Sequence, residues 1–104
     1  MTLNEVIREA NNEREVYFLL TSYVETVRYC DKLNCLPAPV RELPLDGLED
    51  VRNRIGGLKA ELTAPDVDEN ARLVVKEAAE LFDEALNRLQ WLQWEQRRSS
   101  AMAA

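Results

Sequence analysis

No histidine occurs in this chain. The side chain whose ordinary pKa lies nearest neutrality is therefore missing, and with it the most frequent general base and metal-binding group. Cysteine is nearly as scarce. Cys30 and Cys35 cannot complete a tetrahedral zinc site within one chain when no imidazole joins them. In a continuous helix their α-carbons would stand more than ~8 Å apart, too far for a disulfide, so a bridge would require the helix to end between them. They read as buried or half-buried free thiols.

Positive charge is also short, with 13 basic residues against 19 acidic ones and a formal net charge of −6. Phosphate neutralisation needs a basic face, so general binding of nucleic acid is not expected. Long apolar runs are absent: the longest, Val16 to Leu20, is far below the ~20 residues of a membrane span. The opening MTLNEVIREANNERE has no apolar run behind a basic segment, so no signal peptide is read there and a cytoplasmic location is the default expectation. Glycine and proline are few, and Pro37, Pro39 and Pro44 crowd into one segment, which leaves the rest free to form long helices. The chain has no serine or cysteine nucleophile arrangement, no phosphate-cradling glycine loop and no nucleotide fingerprint.

What is present is helical period. With 46% apolar and 31% charged residues over 104 positions, one domain with a real core is expected, without disulfide or metal as a scaffold. Val16 to Cys30 is the most apolar stretch, and Val16, Tyr17, Leu20, Tyr23, Val24 and Val27 fall on one face of a helix. Its β-branched and aromatic residues suit a strand too, but fifteen residues without a turn signal favour helix. Phe18 and Tyr29 point nearly opposite that face.

Thr2 with Glu5 has the spacing of a capping box, and Leu3, Val6, Ile7 and Ala10 form the stripe that follows. That stripe is rotated by roughly a quarter turn from the one around Leu20 at 100° per residue. Asn12 with Glu15 offers a second cap between them. With neither glycine nor proline there, one continuous helix over about 3–33 is the reading. A Pro-rich strap follows over 35–45, because each proline forces extended geometry on its predecessor.

Asp46 with Glu49 predicts a helix over about 47–62, striped by Leu48, Val51, Ile55, Leu58 and Leu62, with Gly56-Gly57 away from the stripe. Those glycines read as weakening the second half of the helix, the alternative being close approach of another backbone. Asp66 with Glu69 opens a last helix over about 66–97, whose broad face runs from Val67 through Val74, Val75, Leu81 and Phe82 to Leu92; residues 99–104 read as a frayed tail. Domain 1–98 is then an all-α, three-helix antiparallel bundle protomer with two long helices and one short. Three helices of such unequal length cannot cover one another, so completion as a larger bundle in a homodimer is expected.

Two sets of side chains compete for function. Trp91 and Trp94 project from the far side of the last helix, close to Leu73 in azimuth; with Phe18 and Tyr29 they form a candidate interface, since exposed tryptophans anchor binding. Glu77, Glu80, Asp83 and Glu84 have the spacing by which helical enzymes hold magnesium, the first three being the candidates for chemistry on nucleotide-like phosphates, but on this helix Glu80 and Asp83 point away from the apolar face. The expectation is a structural or protein-interaction module without catalytic residues, cofactor or metal, self-associating and open to a heterologous protein partner. The alternatives are the magnesium-dependent enzyme and an acidic inhibitor of a basic protein, whose capture would be strongly salt-dependent.

Overall fold

The structure, a computed structural model, describes the backbone of residues 2–28, 45 and 47–103, and side chains within that span except Arg28 and those beyond Ser99. Among the described residues the protein is all-helical and has no strand. Its helices are α1 (Leu3–Arg8), α2 (Glu13–Arg28), α3 (Leu48–Thr63) and α4 (Glu69–Ala103). Cys30, Cys35 and most of the Pro-rich strap lie outside the described residues.

The continuous first helix is corrected: it stops at Arg8 and restarts at Glu13. Thr2 caps α1 as its spacing predicts, accepting from the Glu5 amide at 3.3 Å. At the restart the Asn12 side-chain oxygen accepts from the Glu15 amide at 2.8 Å, and the Glu15 carboxylate accepts from the Asn11 amide at 3.0 Å. The chain also reverses there. Arg8 pairs with Glu84 and the Ala10 carbonyl with Arg88, so α1 runs in the sense of α4. Glu13 sits by Trp91 and Gln96, and Tyr23 lies within electrostatic reach of Glu77, so α2 runs back against it. The quarter-turn offset between the two apolar stripes is the physical reason. In one straight helix Ile7 and Leu20 could not both face α4, whereas after the reversal Ile7, Ala10, Val16, Leu20 and Val24 are all buried.

The third helix begins at Leu48, and its N-cap is Gly47 with φ 114°, making no side-chain capping bond. Asp46 lies outside the described residues. Val51, Ile55 and Leu58 are buried as the spacing predicts. Arg54 is buried as well and pairs with Asp50 at 3.3 Å, an i, i+4 spacing that favours such a pair. The glycines at 56 and 57 do not break the helix, and a Cβ at either would meet nothing within 4 Å among the described residues. No second backbone approaches them there.

The last helix starts at Glu69, three residues later than its spacing predicts, because Pro65-Asp66 forms the turn and the Asp68 carbonyl accepts the first helical bond, from Arg72 at 2.8 Å. The Arg72 side chain closes the α3–α4 corner by donating to the carbonyls of Leu62 and Ala64, both at 3.0 Å. A cation there also offsets the negative end of α3. The tail is corrected too: α4 continues through Ala103, since no glycine or proline follows Trp91 to end it.

The result is a spine with three shorter helices laid on it. α1, α2 and α3 each pack on α4, and α1 touches α2. Thirty-five residues at ~1.5 Å give α4 a length of about 52 Å, which accounts for the 54 Å long dimension of the molecule. The core lies along one side of α4, from Val74 through Val75, Ala78, Leu81, Phe82 and Ala85 to Leu89. Four described helices therefore replace the expected three.

Candidate functional site

Beyond Leu89 the spine outruns its cover. Leu92 is half-buried against the core, and Trp94 and Gln96 to Ser99 are exposed. The core-facing positions also change character, from Leu89 and Leu92 to Gln96 and Ser99, so that side of the overhang has no apolar stripe left to bury.

The apolar surface at this end is on the other side. Trp91 is 45% exposed and Trp94 54%, and at i, i+3 they are neighbours on one helix face. Each ring carries a guanidinium, with Arg88 centred 4.4 Å from the Trp91 ring and Arg98 5.1 Å from that of Trp94. Such contacts are worth roughly 0.5–1 kcal/mol at exposed sites and hold the ring orientation. Arg88 is the better fixed, because its Nε also donates to the Ala10 carbonyl at 2.7 Å. Beside Trp91 an open hollow of about 600 Å³ is floored by Leu92 and walled by Asn11, Asn12, Glu13 and Gln96. The reversal between α1 and α2 thus forms one bank of the hollow and the spine forms the other.

The four expected interface residues are not brought together. Phe18 is 68% exposed, as its azimuth predicts, but it points outward from α2 and takes no part in the hollow beside Trp91. Tyr29 lies outside the described residues. Leu73 is 62% exposed on the same side of α4 as the tryptophans, 18 residues and five full turns away.

The carboxylates of the magnesium reading sit on the solvent side. Glu77 and Glu80 are exposed, and Asp83 pairs with Lys59 at 3.3 Å. Among the described residues no group of three potential ligands is placed to hold a metal ion. Burial and, second, the charge of Glu77 push the Tyr23 hydroxyl up to about 12, while the Glu84 carboxylate raises Arg8 by accepting from it.

Arg88 is the residue that pattern reading missed. Its position at the edge of the core face was visible, but that its partner would be the carbonyl of Ala10 depended on the reversal. Charge along the chain carried a further signal. Residues 85–104 hold Arg88, Arg97 and Arg98 against Glu95 alone, a net +2, which leaves −8 on residues 1–84. The tryptophans therefore stand at the basic tip of an acidic body. No described helix is long and apolar enough to cross a membrane. No family model, curated protein or solved structure matches the chain.

Proposed function

We propose that the protein is a self-associating helical interaction module and that the face of α4 bearing Trp91 and Trp94 is its binding surface. The observation that carries the reading is the pair of half-exposed indoles, side by side on one helix face and each oriented by an arginine. Scattered apolar residues are ordinary on a surface, and Phe18 is read as one of these; two adjacent tryptophans are not. Covering the exposed part of each ring would remove on the order of 100 Å² from water, roughly 2–3 kcal/mol at ~25 cal/mol per Å². Two rings then supply enough to matter against the cost of association, while fixed arginines reduce the ordering left to do.

Sedimentation across a concentration series, with tryptophan emission recorded alongside, tests the reading. The wild type is expected to associate with a blue shift in emission, and Trp91→Ala with Trp94→Ala to weaken association while helicity is retained. A wild type that stays monomeric at high concentration with water-exposed emission refutes it.

A further inference from the structure

The tryptophans belong to a longer line. Alternating steps of four and three residues along α4 run from Leu73 through Glu77 and Glu80 to Trp91, Trp94 and Arg98, with Glu84 and Asn87 at the middle. This is the 3.5-residue repeat of a seam along which two helices lie side by side. Seven of these eight residues are exposed, while Glu84 is half-buried and holds Arg8 of α1, so the line lies on the side of the spine away from the core, with the Arg8 side chain beside its middle.

The line complements itself when reversed. About a two-fold axis midway between Glu84 and Asn87, every position meets another position of the same line: Trp91 meets Glu80, Trp94 meets Glu77, and Arg98 meets Leu73. The chemistry of these pairs fits. An indole N–H is a donor without acceptor capacity, and a carboxylate is an acceptor only. The aliphatic stem of an arginine covers a leucine while its head stays in water. Parallel pairing would instead set Glu77 and Glu80 against their own counterparts and Arg98 against itself, a like-charge arrangement that interfaces avoid. Antiparallel pairing also lays the basic tip, net +2 over residues 85–104, along the acidic half of the other spine. Lys76 and Arg97 flank the line at its solvent edge, where screening leaves like charges little weight.

We propose that the partner covering Trp91 and Trp94 is the Glu77–Glu80 stretch of α4 in a second copy of the chain, the two spines lying antiparallel with Leu73 closed beneath Arg98. This rests on the reading of the tryptophan face as a self-association surface. It assigns Leu73, Glu77 and Glu80 to the binding surface, and it makes the carboxylates acceptors for indole N–H groups rather than metal ligands.

Glu77→Lys with Glu80→Lys tests the pairing, with circular dichroism confirming that the helices persist. The dimer dissociation constant should rise by at least about tenfold, although Glu80 stands roughly 16 Å along the helix from Trp91. In a Cys30→Ser, Cys35→Ser background, Leu73→Cys protein mixed with Arg98→Cys protein should give the mixed disulfide-linked dimer on mild oxidation, in preference to links between like positions. Wild-type affinity in the lysine variant, or links joining 73 to 73 and 98 to 98, overturns the antiparallel pairing and leaves the tryptophan surface standing. A monomeric wild type overturns both.

Discussion

Replacing Gly56 and Gly57 by alanine should stabilise the protein. Both lie inside α3, away from its ends, and an added Cβ at either meets nothing within 4 Å among the described residues. Each glycine in a helix interior costs ~0.5–1 kcal/mol relative to alanine, mostly through the backbone freedom it loses on folding. With no steric term to subtract, the pair is worth about 1–2 kcal/mol, and a domain of this size gains about 4–8 °C per kcal/mol, so Tm should rise by about 4–16 °C. Gly47, one residue before the same helix, is the internal control. Its φ of 114° is the sole positive value among the described residues, and alanine there should cost ~1–3 kcal/mol of strain. The same chemical change thus has opposite signs ten residues apart. Thermal melts followed by helical ellipticity, with urea midpoints alongside, read both. Destabilisation by Gly56→Ala or Gly57→Ala would refute the reasoning, because it would mean that another segment closes on that face of α3.

Three further outcomes are expected. Phe82→Ala should cost about 3–5 kcal/mol, since the ring is wholly buried in the middle of the spine and truncation leaves a cavity; urea denaturation measures it. Asn12→Ala should cost ~1 kcal/mol by removing the 2.8 Å cap of α2, and amide exchange at Glu15 should accelerate with it. Tyr23 should give an alkaline signature. Its pKa in the folded state, about 12, lies above the ordinary value of 10.0, so between those pH values the unfolded chain releases the proton that the folded protein keeps. Stability is then full below pH 10 and falls as pH rises towards 12. Absorbance titration of phenolate should show a late step that Tyr23→Phe abolishes.

Helix existence and the inward faces were legible because they rest on local pattern. Val51, Ile55 and Leu58, or Val75, Leu81 and Phe82, repeat at helical spacing, and the Thr2 cap is a matter of three residues. The exposure of Trp91, Trp94, Leu73 and Phe18 followed from the same arithmetic. The corner at Asn11-Asn12 did not. Its signals, a second capping pair and a quarter-turn offset, stand in the sequence, but the lack of glycine and proline favours continuity and the deciding quantity is tertiary. Only with α4 in place does burying both stripes outweigh the hydrogen bonds lost at a break. The end of α4 misled for a related reason. Gln96 and Ser99 mark the end of the core rather than the end of the helix, and those two boundaries differ by about a dozen residues. Of the candidate surface, the outward azimuth could be read in advance, whereas the hollow needs Asn12 and Glu13 carried up beside Trp91 by the reversal.

The arrangement of three short helices on one spine also governs how the molecule comes apart. α3 joins α4 through a five-residue turn locked by Arg72, while the α1–α2 pair reaches the spine only across the chain and makes no close backbone approach to α3 among the described residues. Contacts close in sequence form with little loop-closure entropy. The α3–α4 hairpin is therefore the natural first unit to fold, and α1–α2 docks afterwards as a clasp held at its tip by Arg88. Opening runs the other way: the clasp can lift while the hairpin survives, giving amides in α1 and α2 a lower protection ceiling than those around Phe82. Because Arg88 also rests on Trp91, each such lift loosens the arginine that orients the ring, so that the proposed pairing of the spines and closure of the clasp would reinforce one another.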